Sequence, residues 1–277
     1  MSTDRRRWLL INASPDVRTQ VLAFDAMSPP AGARRGSGIA AVAITNGDID
    51  HATGLLVLRE GGAPPIYSTA RVRDALTTGL SILPALEAFG RVDWREIVPG
   101  AEIDVAARDG AALDIVLTAF AVASKPPPYM TSKSDGSVGS AVTVPRDDLA
   151  GDTIGLRIAE RARPDAFVAY VPGVRDLDDS LRASIDGARL ILFDGTCFAD
   201  DELVSQGLSQ KTARAMGHAA IEGHGGSLEF LRSLHADRKF YIHINNTNPI
   251  LVDDSSARRA VESAGVGVAH DGLEIAV

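Results

Sequence analysis

The run Ala41, Val42, Ala43, Ile44, followed at once by Thr45-Asn46-Gly47-Asp48-Ile49-Asp50-His51, constrains this chain more than any other stretch. Four consecutive apolar residues read as a strand buried on both faces, and the polar residues after them as the turn at its end. The pattern from Gly54 through Leu58 reads as the first turns of a helix. Strand, acidic turn and helix in that order deliver Asp48, Asp50 and His51 to the C-terminal mouth of a sheet, where open α/β folds place ligands. Asp50 at a helix start is also ordinary capping chemistry, so this stretch alone does not decide between a cap and a ligand.

The same grammar recurs. Apolar runs lead into Asp194 and His243, and a Met-Gly-His segment ends in His218. The chain has a single cysteine, Cys197, so an intrachain disulfide and a thiolate cluster are both excluded. Any metal site must therefore be built from His, Asp or Glu, and side chains at separate strand ends are suited to converge on one. A lone histidine such as His243 is more often structural; several at strand ends shift the balance toward a site.

With 45% hydrophobic residues over 277 positions the chain can bury a full core, and no linker divides it, so a single domain over 1–277 is expected. The formal charge of -8 argues against a nucleic-acid partner, which needs a basic footprint. No apolar run reaches the roughly 20 residues of a membrane span and no secretory signal opens the chain, so no membrane insertion and a cytoplasmic location are expected.

Read in order, strands are expected at 8–12, 41–44, 66–68, 97–99, 103–107, 113–122, 137–144, 153–159, 166–171, 189–193, 239–244, 266–269 and 273–277. Helices are expected from about 14 to 24, 70–79, 81–89, 177–185, 202–208, 227–234 and 255–264. The opening strand looks like the second arm of a hairpin whose first arm is missing. The stretch 124–136, with Pro126, Pro127, Pro128 and then Tyr129, reads as a long loop forming a lid or substrate wall. β-rich stretches that each finish in helices, without a βα unit of constant length, favour an α/β αββα sandwich over a doubly wound sheet.

The residues also carry a family resemblance. The stretch Thr45 to His51, with Gly54-Leu55-Leu56 after it, resembles a modified metallo-β-lactamase signature: Asp50 and His51 match it, while Asn46 and Asp48 stand where two histidines are usual. Asp194 in LLFDGT-like context (Ile191-Leu192-Phe193-Asp194-Gly195-Thr196) matches that superfamily's bridging aspartate, and His243 its late histidine. Together with the stretches 9–20, 45–60, 211–218 and 243–251, this combination resembles the pyrroloquinoline quinone (PQQ) biosynthesis protein B family along almost the whole chain. The first strand, Gly-rich segment and Cys-containing metal motif of that family have no counterpart here.

The resemblance implies a metallo-β-lactamase-type fold lacking its first strand, and metal ligands Asp48, Asp50, His51, Asp194 and His243. His218, with Asp194, is the expected catalytic group, and Lys211, Asn245 and Asn246 the expected substrate contacts. His51 and His243 with a carboxylate from Asp50 or Asp194 approximate the two-histidine, one-carboxylate set with open positions that suits Fe(II) and oxygen activation, with Zn(II) as the alternative metal. The implied activity is metal-dependent hydroxylation of the tyrosine-derived ring of a small precursor cut from a Glu-Tyr peptide, molecular oxygen being co-substrate. A hydrolase of the same superfamily, or a protein that binds and transports PQQ or its precursor without catalysis, are the competing expectations. A homodimer and contacts with other proteins of the PQQ pathway are the expected partners.

Overall fold

The computed structural model describes residues 1–28, 32, 36–59, 62–130 and 151–277. They form two compact units, 1–117 with 126–154 and 118–125 with 155–277. The strand expected at 137–144 and the far part of the 124–136 loop lie outside the described residues.

The first unit carries a four-stranded sheet in sequential order, β1 (Trp8–Ile11), β2 (Ile39–Ala43), β3 (Ile66–Ser68) and β4 (Trp94–Glu96). All three pairings are parallel. Parallel neighbours need crossovers, and the helices Val17–Ala23, Ile49–Ala52, Ala70–Asp74 and Ile82–Glu87 lie in those connections. β1 pairs with β2 on one side, and on the other Leu9 exchanges two 2.8 Å backbone hydrogen bonds with Met1. The expected strand at 97–99 sits three residues early, at β4. The parallel register against Ile66 to Ser68 selects Trp94 to Glu96, and Ile97 only extends the ladder through a 2.9 Å bond to the Ser68 carbonyl. Ala13, Val42, Ile44, Leu55, Ile66, Val72 and Leu76 form the core of this unit, each at most 2% exposed.

β5 (Glu102–Ala106) follows in the first unit, and β6 (Ala112–Ala121) runs from it into the second. There the order continues through β7 (Ile154–Glu160), β8 (Arg163–Val171), β9 (Leu190–Asp194), β10 (Arg238–Ile242) and β11 (Gly267–Val268). β7 and β8 are antiparallel, whereas β8, β9, β10 and β11 are mutually parallel. The helices Asp179–Ile185, Ser227–Arg232 and Ser256–Ser263 pack Leu181, Ile185, Phe230, Leu231 and Val261 against Val171, Ile191, Phe193 and Tyr241. Residues 273–277, expected as a closing strand, are irregular: they carry no continuous buried face.

Candidate metal centre

β9 ends on Asp194, whose side chain is 1% exposed, and β10 runs beside it in parallel with Ile242 opposite Asp194. The next residue on that neighbouring strand is His243, so parallel register alone brings the imidazole to the carboxylate. Gly195 makes the close approach possible, because a Cβ there would lie 2.9 Å from the Tyr241 Cβ. His243 itself turns the chain with φ 53°. His218 arrives from elsewhere: the short helix Ala213–Met216, capped by Thr212, ends at Gly217 with φ 102°, and the next residue points its ring back into the unit.

The three side chains are joined by a fourth. His218 Nδ1 lies 2.6 Å from Asp194 Oδ2 and His243 Nδ1 3.4 Å from Asp194 Oδ1. The Thr196 hydroxyl donates to Asp194 Oδ1 at 2.6 Å and lies 3.0 Å from His218 Nδ1 and 2.8 Å from His243 Nδ1. Backbone N–H groups of Val174 and Thr196 also donate to the carboxylate, at 3.2 and 3.1 Å. The imidazoles stack, with centroids 5.4 Å apart. Burial by itself raises the Asp194 pKa, but the charge and hydrogen bond of His218, followed by those of His243, more than reverse this and hold the carboxyl well below its usual range. Asp194, His218 and His243 each offer a donor atom within 4.8 Å of the others, so two nitrogens and one oxygen could grip a single cation.

Thr196 was not anticipated from the sequence. Its only signal is a hydroxyl two residues beyond a strand-end aspartate, the spacing of a local side-chain turn. Its neighbour Cys197 is fully buried, and burial, with Glu202 and Asp194 nearby, pushes the thiol up to about 12, so it is a packed thiol and not a reactive one. Of the expected substrate contacts, Lys211 and Asn246 are exposed, and Asn245 donates its backbone N–H to the Thr196 carbonyl at 3.1 Å. The buried amide in that turn is Asn248, which donates to the Gly195 carbonyl at 2.8 Å and accepts from the Ile250 N–H at 3.0 Å.

In the first unit the turn after β2 is organised differently. Asn12, at the end of β1 and with φ 57°, accepts the Thr45 N–H on Oδ1 at 2.9 Å, which leaves its Nδ2 facing Thr45 Oγ1 at 2.9 Å and His51 Nδ1 at 3.2 Å. That amide fixes the plane of a ring only 5% exposed. Asn46 Nδ2 donates to Asp48 Oδ2 at 2.9 Å, and Asp50 Oδ2 lies 3.9 Å from His51 Nε2. Asp48, Asp50 and His51 are thus presented by one turn, and Asn12 is the residue that sequence reading saw only as a strand end.

The description "Beta-lactamase superfamily domain" matches residues 7–244. Coenzyme PQQ synthesis protein B of Xanthomonas campestris pv. campestris is 40% identical over 100% of this chain and 86% of its own length. The protein of the same name from Methylococcus capsulatus is 38% identical over 99% of this chain and 85% of its own. Among solved structures, Zn(2+)-bound PqqB from Methylobacterium extorquens superposes with a TM-score of 0.84 and 34% identity, covering 100% of this chain and 86% of that one. A diphosphatase of the PhnP family, at 18% identity and TM-score 0.58, shares the fold alone. Sheets, strand-end acids and relatives agree: the chain has the metallo-β-lactamase fold and belongs to the coenzyme PQQ synthesis protein B family.

Proposed function

We propose that the chain, acting as one domain over 1–277, is a metal-dependent hydroxylase of PQQ biosynthesis that oxidises the tyrosine-derived ring of a small precursor from a Glu-Tyr peptide. The observation that carries this reading is the set Asp194, His218 and His243, two imidazoles and one carboxylate with donor atoms within 4.8 Å of one another. Such a set leaves coordination positions open and suits Fe(II), which when bound would supply activation of molecular oxygen. In this reading Asp194 brings the negative charge, Thr196 aims the two rings, and His218, 18% exposed in its side chain, serves as the second imidazole ligand rather than as a proton carrier. Asp48, Asp50 and His51 are further ligands by family likeness, and Lys211, Asn245 and Asn246 are the groups offered to the precursor's carboxylates and amides. Other PQQ-pathway proteins and a second copy of the chain are the partners of this reading, in the cytoplasm; no described helix is long and apolar enough to cross a membrane.

A zinc hydrolase is the second reading, favoured by the Zn(2+)-bound relative. Anaerobic titration of the metal-stripped chain with Fe(II) and with Zn(II), followed by oxygen uptake with a Glu-Tyr-derived precursor, separates them. Precursor-dependent oxygen uptake with Fe(II) alone supports the hydroxylase. Ester or phosphodiester turnover with Zn(II), and no oxygen uptake, overturns it.

A further inference from the structure

The turn 46–50 is held from two sides within its own unit. On one side Asn46 bridges to Thr153, and Ile154 donates its N–H to the Thr45 carbonyl at 3.0 Å. On the other, the Tyr129 hydroxyl donates to the carbonyl of Gly47, the residue between Asn46 and Asp48. The approach is close enough that a Cβ on Gly47 would lie 2.9 Å from the Tyr129 hydroxyl, 2.9 Å from the Ala75 Cβ and 3.1 Å from the Pro127 Cγ.

The ring of Tyr129 has a seat of its own. A Cβ on Gly79 would stand 2.4 and 2.5 Å from two carbons of that ring and 2.6 Å from the Met130 sulfur. Gly79 closes a π-helical turn, Ala75–Gly79, which continues the helix Ala70–Asp74. Such turns are rare and frequently lie at functional sites. Pro126 and Pro127, both buried, stiffen the approach by fixing their backbone φ, and the Met130 N–H closes on the Pro127 carbonyl at 2.9 Å. A stiff segment, an aromatic ring on a glycine and a phenol on a backbone carbonyl make a latch, not a passing contact.

We infer that Tyr129 is a positioning residue: by docking on Gly79 and bonding the Gly47 carbonyl it holds the turn that presents Asp48, Asp50 and His51. The metal-holding role of that turn rests on the functional reading above; the latch does not. The full-length chain is compared with Y129F, G79A and the double variant by hydrogen exchange of the peptide covering 46–52 and by titration with Zn(II) alone. Loss of one neutral hydrogen bond predicts about 2- to 10-fold faster exchange and a similar fall in Zn(II) affinity in Y129F. G79A, whose methyl displaces the ring, reproduces the effect, and the double variant adds nothing to it. Unchanged exchange over 46–52 in both single variants, or a double variant whose effects simply add, overturns the latch. Faster exchange with unchanged Zn(II) affinity counts against the turn as a metal holder, and a wild type that takes up no Zn(II) overturns that reading while the exchange comparison still decides the role of Tyr129.

Discussion

At the end of β9 the Asp194 side chain is 1% exposed and satisfied by two backbone N–H groups, a hydroxyl and two imidazoles, whereas after β2 Asp50 leaves 62% of its side chain in solvent, 3.9 Å from the His51 ring. Both sites are an apolar strand running into an acid, with histidine at hand. They differ in who is buried: in the second unit it is the charge, in the first it is the imidazole of His51, steered by the Asn12 amide. A buried charge must be answered by several donors at once, so its neighbours are committed to it. An exposed charge keeps much of its hydration and asks less of its neighbours, and the turn around it is organised by the Asn12 and Asn46 amides and the Tyr129 hydroxyl.

The comparison breaks most easily at Asp194. Removing the carboxylate in D194A strands two imidazoles, a hydroxyl and two N–H donors, and costs about 3 kcal/mol or more of folding stability; urea unfolding of wild type and variant measures it, and a loss below about 1 kcal/mol would mean the cluster is not the committed one. H218A and H243A come next, with metal affinity falling by more than about 100-fold, beyond what loss of an orienting partner costs. T196V, which keeps the shape and loses the hydroxyl, weakens metal binding about 10- to 100-fold, and T196S restores most of it. Isothermal titration on these four variants ranks ligand against orienting group.

Cys197 sharpens the contrast through pH. Its thiol releases a proton at about pH 8.5 in the unfolded chain but only at about 12 when folded. Between those values the folded state binds more protons, so this group's contribution to stability falls as pH rises above the unfolded value. The urea midpoint of wild type drops between pH 7.5 and 10 more than that of C197A. Equal drops would place the thiol in an environment less apolar than its burial implies. The smallest effect belongs to D50N, a change within about 0.5 kcal/mol of wild-type stability; if D50N unfolds as readily as D194A, the two strand ends are alike after all.

The strand-end residues were legible because a buried apolar run announces itself, and its first polar successor is necessarily at the sheet's edge. β2, β9 and β10 lie within two residues of their expected limits for that reason. His218 was less legible, since its place depends on the left-handed turn at Gly217 and not on a strand. Thr196 and Asn12 were missed: single small polar residues carry no periodicity, and what they touch depends on strands far off in sequence. The shift from 97–99 to Trp94–Glu96 has the same origin, because β-branched composition proposes a strand while the neighbour's register fixes it.

His243 holds a backbone angle that suits glycine, and a side chain there keeps roughly 1 kcal/mol of conformational energy in the fold. With the imidazole gone, glycine fits that angle better than alanine, so H243G outlasts H243A in a thermal melt, while the wild type, which keeps His243 beside the buried Asp194, outlasts both. The strain in that one residue is therefore outweighed by the partnership its ring keeps with a carboxylate that has no water to turn to.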